Sequence, residues 1–465
     1  MDAKKKMRIW LVLLIFLNGY VSLSLELLVL RQLSFYVGSS AVITSIIMGT
    51  FLGFMSVGYF LGTRRRAVRT SIRGTLSACF LAIALFAFLA ASFPLITAYF
   101  RLMYGAGITS GVVQTAIFSL MFLSVGPFLF GYNTTLLSRC LHRYNTNYTG
   151  NIMAWDTIGS VFGSLTTTLI LMPFIGVNYT VCLIVGVTAL AAVLTRPRIT
   201  TIVSAALILS ATFIFNNNGY MRRHFGILVN NANSTISVAE YGDARVLQMN
   251  GLPMSIYNAT TGESAEYVNY INENFIYNMP RDRVRRILVL GAGGFTAGLN
   301  DDFNDYTFVD IEGTLKDVSE NEFLKQKLAP NKRFIVRDAS QYLKNIDQTY
   351  DLIILDVYSN SFQVPEDLIT AEFLNRIKAR VAPNGIIVMN MITSASFRDT
   401  YTRVFDNTFH AVFPHNTQRQ VIGPTNPWSG EDDVSNVIYI FYNTGNDGRI
   451  YTINKTPVIY DRYKK

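Results

Sequence analysis

The sequence predicts a chain of two parts: an N-terminal bundle of membrane-spanning helices, and a C-terminal region in which a small antiparallel β subdomain precedes an α/β, Rossmann-like domain. Long apolar runs fill the first 217 residues, and alternation of apolar and polar residues begins only after Asn216. Between residues 285 and 359, four short apolar runs each end in Gly or Asp. Because an open parallel sheet binds its ligand at the C-terminal ends of its strands, these runs also predict where a ligand lies.

The charges divide the chain at the same point. Residues 1–217 contain 15 Lys and Arg against three acids, a net +12, whereas residues 218–465 contain 25 against 28, a net −3. A basic excess in the apolar half fits the short inner loops of a membrane protein, so we do not interpret it as nucleic-acid binding. The cysteines Cys79, Cys140 and Cys182 have no metal-ligand spacing. No metal site is predicted from them.

Seven apolar runs have about the 17 to 25 residues that cross a bilayer core. They lie near residues 9–30, 41–62, 75–97, 112–135, 151–174, 176–195 and 199–216. Basic residues before the first run and after the second, fourth and sixth place the N-terminus inside. An odd number of spans exports the C-terminal domain, so either the seventh run lies in the interface or re-enters, or the domain faces outward. Arg222 and Arg223 favour the inside, and we expect a multi-pass membrane protein with a cytoplasmic C-terminal domain.

Two acids lie within the apolar runs. An unpaired charge at the positions of Glu26 and Asp156 costs roughly 2.5 to 3.5 kcal/mol, so polar partners are expected. One interpretation pairs Glu26 with Arg31 and places Asp156 near the headgroups; the other is a substrate path or an interior ion pair. Glycines in the same runs predict close helix packing: Gly49, Gly53, Gly58, Gly62, Gly159 and Gly163.

The second half divides into a β subdomain with a linking helix, residues 218–280, and the Rossmann-like domain, residues 281–465. In the first, Asn250-Gly251 predicts a tight hairpin turn, and residues 263–278 predict a helix. In the second, the strands are RRILVL, YTFVD, RFIV and YDLIIL, the helices cover 314–327 and 371–381, and IIVMNMI and NVIYIFY complete the sheet.

The predicted ligand site is built from the ends of these strands. Gly291, Gly293 and Gly294 allow the backbone to turn sharply and to approach a ligand. Asp310, 19 residues after Gly291, ends the second strand, where a carboxylate accepts both ribose hydroxyls. Asp338 follows the third strand, as an acceptor for an adenine amino group or as the cap of the next helix.

Asp356 follows the fourth strand, at the centre of the predicted cleft. A carboxylate at this position can take a proton from an attacking amine. Taken alone, each of these acids is a helix cap or a loop acid. Together, at consecutive strand ends, they predict a nucleoside site.

These motifs make the region from Ser234 to Tyr442 resemble the spermidine and spermine synthase family of aminopropyltransferases, in a divergent form. The matching segments are RVLQMNG, LVLGAGG, FVDIE, RDAS and DLIILDVYSNSFQVPEDLITAEF. SLELLVLRQL, VGSSAVITSIIMGTFLGF and AWDTIGSVFGSL resemble the multi-span extension of some bacterial members. The resemblance implies an S-adenosylmethionine-methyltransferase-like fold, a bacterial inner membrane location, a small amine acceptor, and no metal; it also allows a homodimer.

The resemblance also implies roles for individual residues. Asp356 would deprotonate the acceptor amine, and Asp310 would hold the ribose of decarboxylated S-adenosylmethionine. Asp338 and Ala339 would lie at its adenine, and Gly291, Gly293 and Gly294 would form its glycine loop. Tyr267, Tyr358 and Ser359 would contact the acceptor.

The departures from the family pattern leave three functions open. The carboxylate that members carry in the glycine loop is Gly294 here, the usual Tyr-His-Glu is Glu266-Tyr267-Val268, and the second acid after the catalytic one is Ser359. Because each desolvated ammonium must be paired, the loss of acids bears on polyamine binding. The open alternatives are an aminopropyltransferase, a methyl or other group transferase that uses intact S-adenosylmethionine, and a non-catalytic protein that binds a nucleoside or polyamine.

Overall fold

The structure, a computed structural model, describes residues 3–38, 40–64, 72–142, 149–358, 364–423 and 433–445. The chain divides into two compact units. The first comprises residues 1–239 and 248–252, and the second comprises residues 240–247 and 253–465. The division passes through the strands of the small β-sheet, and the domain boundaries given above stay predictions.

The first unit is mainly helical. Its helices are α1 (Ala3–Val37), α2 (Ala41–Arg64), α3 (Ile72–Ala91), α4 (Phe93–Gly105), α5 (Gly111–Phe122), α6 (Val125–His142), α7 (Thr149–Thr166), α8 (Met172–Thr195), α9 (Ile199–Asn216) and α10 (Asn218–Phe225). A π-helical segment, Thr167–Leu171, joins α7 to α8. The short helix α10 is capped by Asn217, whose side chain accepts a hydrogen bond from the Tyr220 amide, and it ends at Gly226, with φ 65°.

Glycines bring these helices close together. Helix α1 packs along α7, and α2 packs along α6. A Cβ at Gly159 would lie 2.0 Å from the carbonyl oxygen of Phe16, and one at Gly163 would lie 2.3 Å from that of Tyr20. The predicted close packing is confirmed for these two glycines and for Gly58 and Gly62, where a Cβ would lie 2.0 Å from the Phe128 carbonyl oxygen and 2.8 Å from Cβ of Thr135. At Gly49 and Gly53 no atom of the described residues lies within 4 Å of such a Cβ, so close packing is not found for these two.

By length and composition, five of the described helical segments could cross a membrane, or six if the bent pair Gly111–Phe122 and Val125–His142 is one span. One of the five, Gly150–Thr195, has 46 residues. At ~1.5 Å per residue this is more than twice the thickness of a bilayer core. Its helix is broken at Gly176, with φ 79° and ψ 164°, where the predicted runs 151–174 and 176–195 meet. The count of seven spans stays a prediction.

A four-stranded sheet follows the helices, with its strands in chain order. They are β1 (Ile227–Asn230), β2 (Thr235–Tyr241), β3 (Ala244–Met249) and β4 (Leu252–Asn258). Asn250 and Gly251 both have positive φ, 51° and 79°, as a tight two-residue hairpin turn requires. The predicted hairpin is confirmed.

The second unit contains a seven-stranded sheet of order β10-β11-β9-β8-β5-β6-β7. Its strands are β5 (Arg286–Leu290), β6 (Asp305–Asp310), β7 (Lys332–Val336), β8 (Tyr350–Leu355), β9 (Val381–Ser394), β10 (Thr417–Ile422) and β11 (Val434–Tyr442). Strands β5 to β9 run parallel, and β11 and β10 complete the sheet in antiparallel pairing. All six residues of β8 are buried, as is typical of a parallel strand covered on both faces.

The helices of the second unit are short. They are α11 (Glu266–Ile271), α12 (Leu315–Val318), α13 (Ala339–Lys344), α14 (Ala371–Lys378) and α15 (Thr400–Val412). Two predicted helices continue as π-helical segments: α11 extends through Asn272–Ile276 and α12 through Ser319–Phe323. The core lies between these helices and the sheet, with the fully buried Phe373, Phe409 and Tyr439 among its side chains.

Candidate active site

Candidate residues follow the C-terminal ends of four adjacent parallel strands. Asp356 follows β8, the glycine loop follows β5, Asp310 ends β6, and Asp338 follows β7. Because the strands lie side by side in the order β8-β5-β6-β7, these ends form one edge of the sheet. The order of the strand motifs predicts this arrangement, and this is the edge at which such sheets bind ligands.

Gly291 lies where β5 and β8 approach each other most closely. Its φ is 91°, and a Cβ there would lie 2.1 Å from the carbonyl oxygen of Asp356. The Asp356 amide donates to the Leu290 carbonyl (2.8 Å), and the Gly291 amide donates to the Val309 carbonyl (2.9 Å). Glycine is therefore required at 291 both for its conformation and for space.

Asp310 joins β6 to the glycine loop. Its Oδ2 accepts a hydrogen bond from the Ala292 amide and its Oδ1 accepts one from the Glu312 amide, both at 2.9 Å. Burial raises the pKa of Asp310; the two amides lower it, and the charge of Glu312 raises it. Since a carboxylate has about four acceptor positions, two remain for ligand hydroxyls.

Gly294 has no room for a side chain. Its amide donates a 2.9 Å hydrogen bond to the Ser255 hydroxyl. A Cβ at 294 would lie 2.1 Å from Cε1 of Phe323, which is fully buried, and 3.0 Å from Cβ of Ser255. Gly293, with φ 49°, is also close to Ser255: a Cβ there would lie 2.8 Å from its hydroxyl. The carboxylate that members of the resembled family carry at position 294 is therefore excluded by packing.

Asp338 caps helix α13. Its Oδ1 accepts a 2.8 Å hydrogen bond from the Gln341 amide, while Ala339 next to it is buried. The preceding residue, Arg337, donates its amide to the Asp310 carbonyl at 2.8 Å, which fixes this segment beside β6. The capping role is therefore observed, and the contact with adenine stays a prediction.

Asp356 accepts hydrogen bonds at both carboxylate oxygens. The Tyr267 hydroxyl donates to Oδ2 and the Asn390 side-chain amide donates to Oδ1, both at 2.9 Å. Burial raises the pKa of Asp356, and the two hydrogen bonds lower it without cancelling that effect. Burial, followed by the charge of Asp356, raises the pKa of Tyr267 well above its usual value. The carboxylate thus has neutral partners and is poised to accept a proton.

Asn390 is a site residue that the sequence pattern did not predict. It is 1% exposed, and its Oδ1 has no hydrogen-bond partner among the described residues. Its backbone carbonyl accepts a 2.7 Å hydrogen bond from the Tyr358 hydroxyl. The signal for it was a single amide within the apolar strand IIVMNMI. Tyr267 and Tyr358, predicted acceptor contacts, thus lie around Asp356, whereas Ser359 lies outside the described residues.

The opposite edge of the sheet contains a cavity of about 280 Å³, lined in part by Arg286, Asp305 and Tyr350. These residues lie at the N-terminal ends of their strands. None of the predicted site residues lies there.

Comparison with known proteins supports the interpretation of the second unit. Residues 279–428 match the model of the spermine/spermidine synthase domain. A polyamine aminopropyltransferase from Vibrio vulnificus (strain CMCP6) is 27% identical over 165 residues, which are 34% of this chain and 54% of that protein. The chain thus spans about half the length of this curated relative.

Solved structures show related similarity. A probable spermidine synthase from Corynebacterium glutamicum ATCC 13032 is 23% identical, with a TM-score of 0.38, over 48% of this chain and 80% of that one. A spermidine synthase from Thermotoga maritima is 16% identical, with a TM-score of 0.36, over 45% of this chain and 70% of that one. The match at residues 279–428 thus shows a spermine/spermidine synthase domain in this part of the chain, to which the polyamine aminopropyltransferase is also similar.

Proposed function

We propose that the second unit transfers an aminopropyl group from decarboxylated S-adenosylmethionine to a polyamine-like amine, in a protein that its helices anchor in a membrane. The observation that carries this proposal is the pairing of Asp356 with two neutral donors, Tyr267 and Asn390. A buried carboxylate with a raised pKa, and without a cation bonded to it in the described residues, is suited to take a proton from an amine.

The donor would lie along the strand ends. Asp310 has acceptor positions left for the ribose hydroxyls, and Gly291 and Gly293 leave the backbone open beside it. Asp338 and Ala339, held next to β6 by the Arg337 amide, would lie at the adenine. Held by these groups, the donor would have its reactive carbon towards Asp356.

The reaction would then be a single displacement. The acceptor nitrogen attacks the aminopropyl carbon bonded to the sulfonium sulfur, and the carbon–sulfur bond breaks as the carbon–nitrogen bond forms. The electron pair of the broken bond stays on sulfur, which leaves as the neutral thioether methylthioadenosine. Asp356 takes the proton that the newly formed secondary ammonium group releases, which leaves a neutral secondary amine. The unbonded Oδ1 of Asn390 is available to accept a second hydrogen of the attacking amine and so to orient it.

One observation favours a second candidate, a methyl or other group transferase that uses intact S-adenosylmethionine. Phe323 and Ser255 fill the space where a carboxylate would meet the ammonium of an aminopropyl donor. A methionine-type donor carries its own carboxylate beside its ammonium, and backbone groups of the glycine loop can bind both.

The decisive experiment is calorimetry on the full chain in detergent with three ligands: decarboxylated S-adenosylmethionine, S-adenosylmethionine and methylthioadenosine. Methylthioadenosine release is then assayed with putrescine and spermidine. We expect tighter binding of the decarboxylated donor and amine-dependent release. Preference for the intact donor supports the second candidate, and no binding of any of the three refutes both transferase proposals.

The proposed membrane location is supported by the helices of the first unit, five or six of which could span a bilayer by length and composition. We place the second unit on the cytoplasmic side, where adenosyl donors are available. Arg222 and Arg223, on α10 just after the last long apolar helix, agree with this side. Protease treatment of sealed, inside-out vesicles should cleave the second unit, and protection there would contradict this orientation.

A further inference from the structure

Four helices of the first unit enclose a small polar cluster, formed by Asn18 of α1, Tyr59 of α2, Thr134 of α6 and Asp156 of α7. The Asn18 side-chain amide donates to the Phe130 carbonyl (3.2 Å) and to the Thr134 hydroxyl (3.0 Å). Asn18 and Thr134 lie beside the Asp156 carboxyl group, and Tyr59 lies beside Thr134 and Asp156. Asp156 therefore lies in a polar environment made by the helices themselves.

The cluster has more acceptors than donors. Oδ1 of Asn18, a residue 2% exposed, and Oδ1 of Asp156 are buried, and neither has a hydrogen-bond partner in the described part of the chain. Both hydrogens of the Asn18 amide are already used, and the Thr134 hydroxyl donates to the Phe130 carbonyl (3.1 Å). Buried polar atoms are almost always bonded in native proteins. The cluster thus contains two buried acceptor oxygens that no described group bonds, and one of them belongs to a carboxyl group.

We propose that Asn18, Tyr59, Thr134 and Asp156 form a second amine site, which binds a primary ammonium group within the helical unit. An ammonium group brings three N–H donors and one positive charge. The two unbonded oxygens would accept two of these hydrogens, and the aromatic ring of Tyr59 is a favourable neighbour for a cation.

A metal cation fits less well. Hard cations such as Ca²⁺ take six to eight oxygen ligands, and Mg²⁺ demands a near-octahedral set. Only two of the buried oxygens of this cluster are unbonded among the described residues, which is far from such a ligand set. The choice of a polyamine as the physiological amine rests on the proposed function, whereas the site itself does not.

The test uses putrescine as the probe and the full chain in detergent, with calorimetry at constant ionic strength. We expect the wild-type chain to bind two equivalents of putrescine. Asp156→Asn should weaken one of them at least about tenfold, because truncating one partner of a desolvated charge pair is costly. Asp356→Asn should weaken the other. Glu26→Gln is the matched control, because Glu26 is a buried carboxyl group of the same helical unit, on α1. This variant should bind both equivalents of putrescine.

The outcomes separate this inference from the proposed function. Loss of binding with Asp156→Asn alone supports the helical site and counts against the transferase site. Loss with Asp356→Asn alone overturns the helical site. If sodium displaces putrescine from the site that depends on Asp156, the amine assignment is also overturned. If Asp156→Asn does not fold, Asn18→Leu removes the other unbonded oxygen, and unchanged binding in that variant refutes the site.

Discussion

The Tyr267 hydroxyl donates a 2.9 Å hydrogen bond to Oδ2 of Asp356. Tyr267 lies on α11, before the sheet begins, and Asp356 follows β8. The contact of Asp356 with a phenol thus depends on a residue at which this chain departs from the Tyr-His-Glu pattern of the family it resembles. A phenol with a raised pKa stays neutral at the pH of the cell and stabilises the ionised carboxylate without neutralising it.

Tyr267→Phe should shift the acidic limb of activity to higher pH. The catalytic form of Asp356 is the carboxylate, so kcat/KM falls as the pH drops through its pKa. A hydrogen bond to a charged group contributes about 1.5 to 3 kcal/mol, and its loss should move the limb upward by about one pH unit. The measurement is the pH profile of methylthioadenosine release. Tyr270→Phe, on the same helix, is the control and should leave the limb in place, whereas an unmoved limb in Tyr267→Phe would exclude the hydrogen bond from catalysis.

Asp356→Asn should abolish turnover and, at neutral pH, raise the free energy of unfolding. Burial raises the folded-state pKa of Asp356 above its unfolded value. The folded state therefore binds the proton more tightly, and stability falls as the pH rises from the unfolded to the folded pKa. Asparagine removes this cost, and we expect a gain of about 1 kcal/mol, as for other replacements of strained site residues.

Denaturant unfolding at two pH values checks this prediction. The gain should be present at neutral pH and should disappear below the ordinary pKa of an aspartate, where the wild-type side chain is protonated in both states. Equal stability of the two proteins at neutral pH would show that Asp356 is not under strain in the fold.

Gly294→Ala should destabilise the second unit. The added methyl group would meet Cε1 of Phe323 at 2.1 Å, so the ring or the glycine loop must move. Overpacking of this kind costs about 1 to 3 kcal/mol. Gly313→Ala is the matched control, since its methyl group would meet Val336 at an ordinary 3.4 Å. Similar unfolding midpoints for the two variants would show that the space at 294 is not filled and that an aspartate could be restored there.

Most strands of the seven-stranded sheet were predictable because each of them carries its own signal in the sequence. Strands β5, β6, β7 and β8 are short apolar runs that end in glycine or aspartate, and the order of these runs already indicates a parallel sheet. Strand β10, Thr417–Ile422, was not predicted. Its half-buried and exposed positions alternate, but its sequence TQRQVI has polar residues at both kinds of position, so the alternation is not visible in the residue types. Strand β1 was not predicted because its four residues are too few to show a clear periodicity.

The partners of Asp356 were harder to predict than Asp356 itself. Asn390 reaches it only because β9 pairs with β8, with Met389 opposite Leu355. Nothing local in the sequence gives that register. The contact between Gly294 and Phe323 likewise joins the glycine loop to a π-helical segment beyond β6. Such contacts depend on tertiary packing, which a pattern of residue types does not specify.

Asn390→Leu should lower kcat and shift the acidic limb to higher pH. The substitution removes the donor to Oδ1 of Asp356 and also the unbonded acceptor that would orient the attacking amine. We expect a loss in kcat of about tenfold or more, since one positioned hydrogen bond contributes about 1.5 to 3 kcal/mol when it involves a charge.

Tyr358→Phe is the contrasting variant, because within the described residues the Tyr358 hydroxyl donates its hydrogen bond to the Asn390 carbonyl and not to a side chain of the site. It should lower the free energy of unfolding by about 1 kcal/mol and leave the acidic limb unchanged. An equal shift of the limb in both variants would mean that Asn390 acts through the backbone of β9 and not through its side chain.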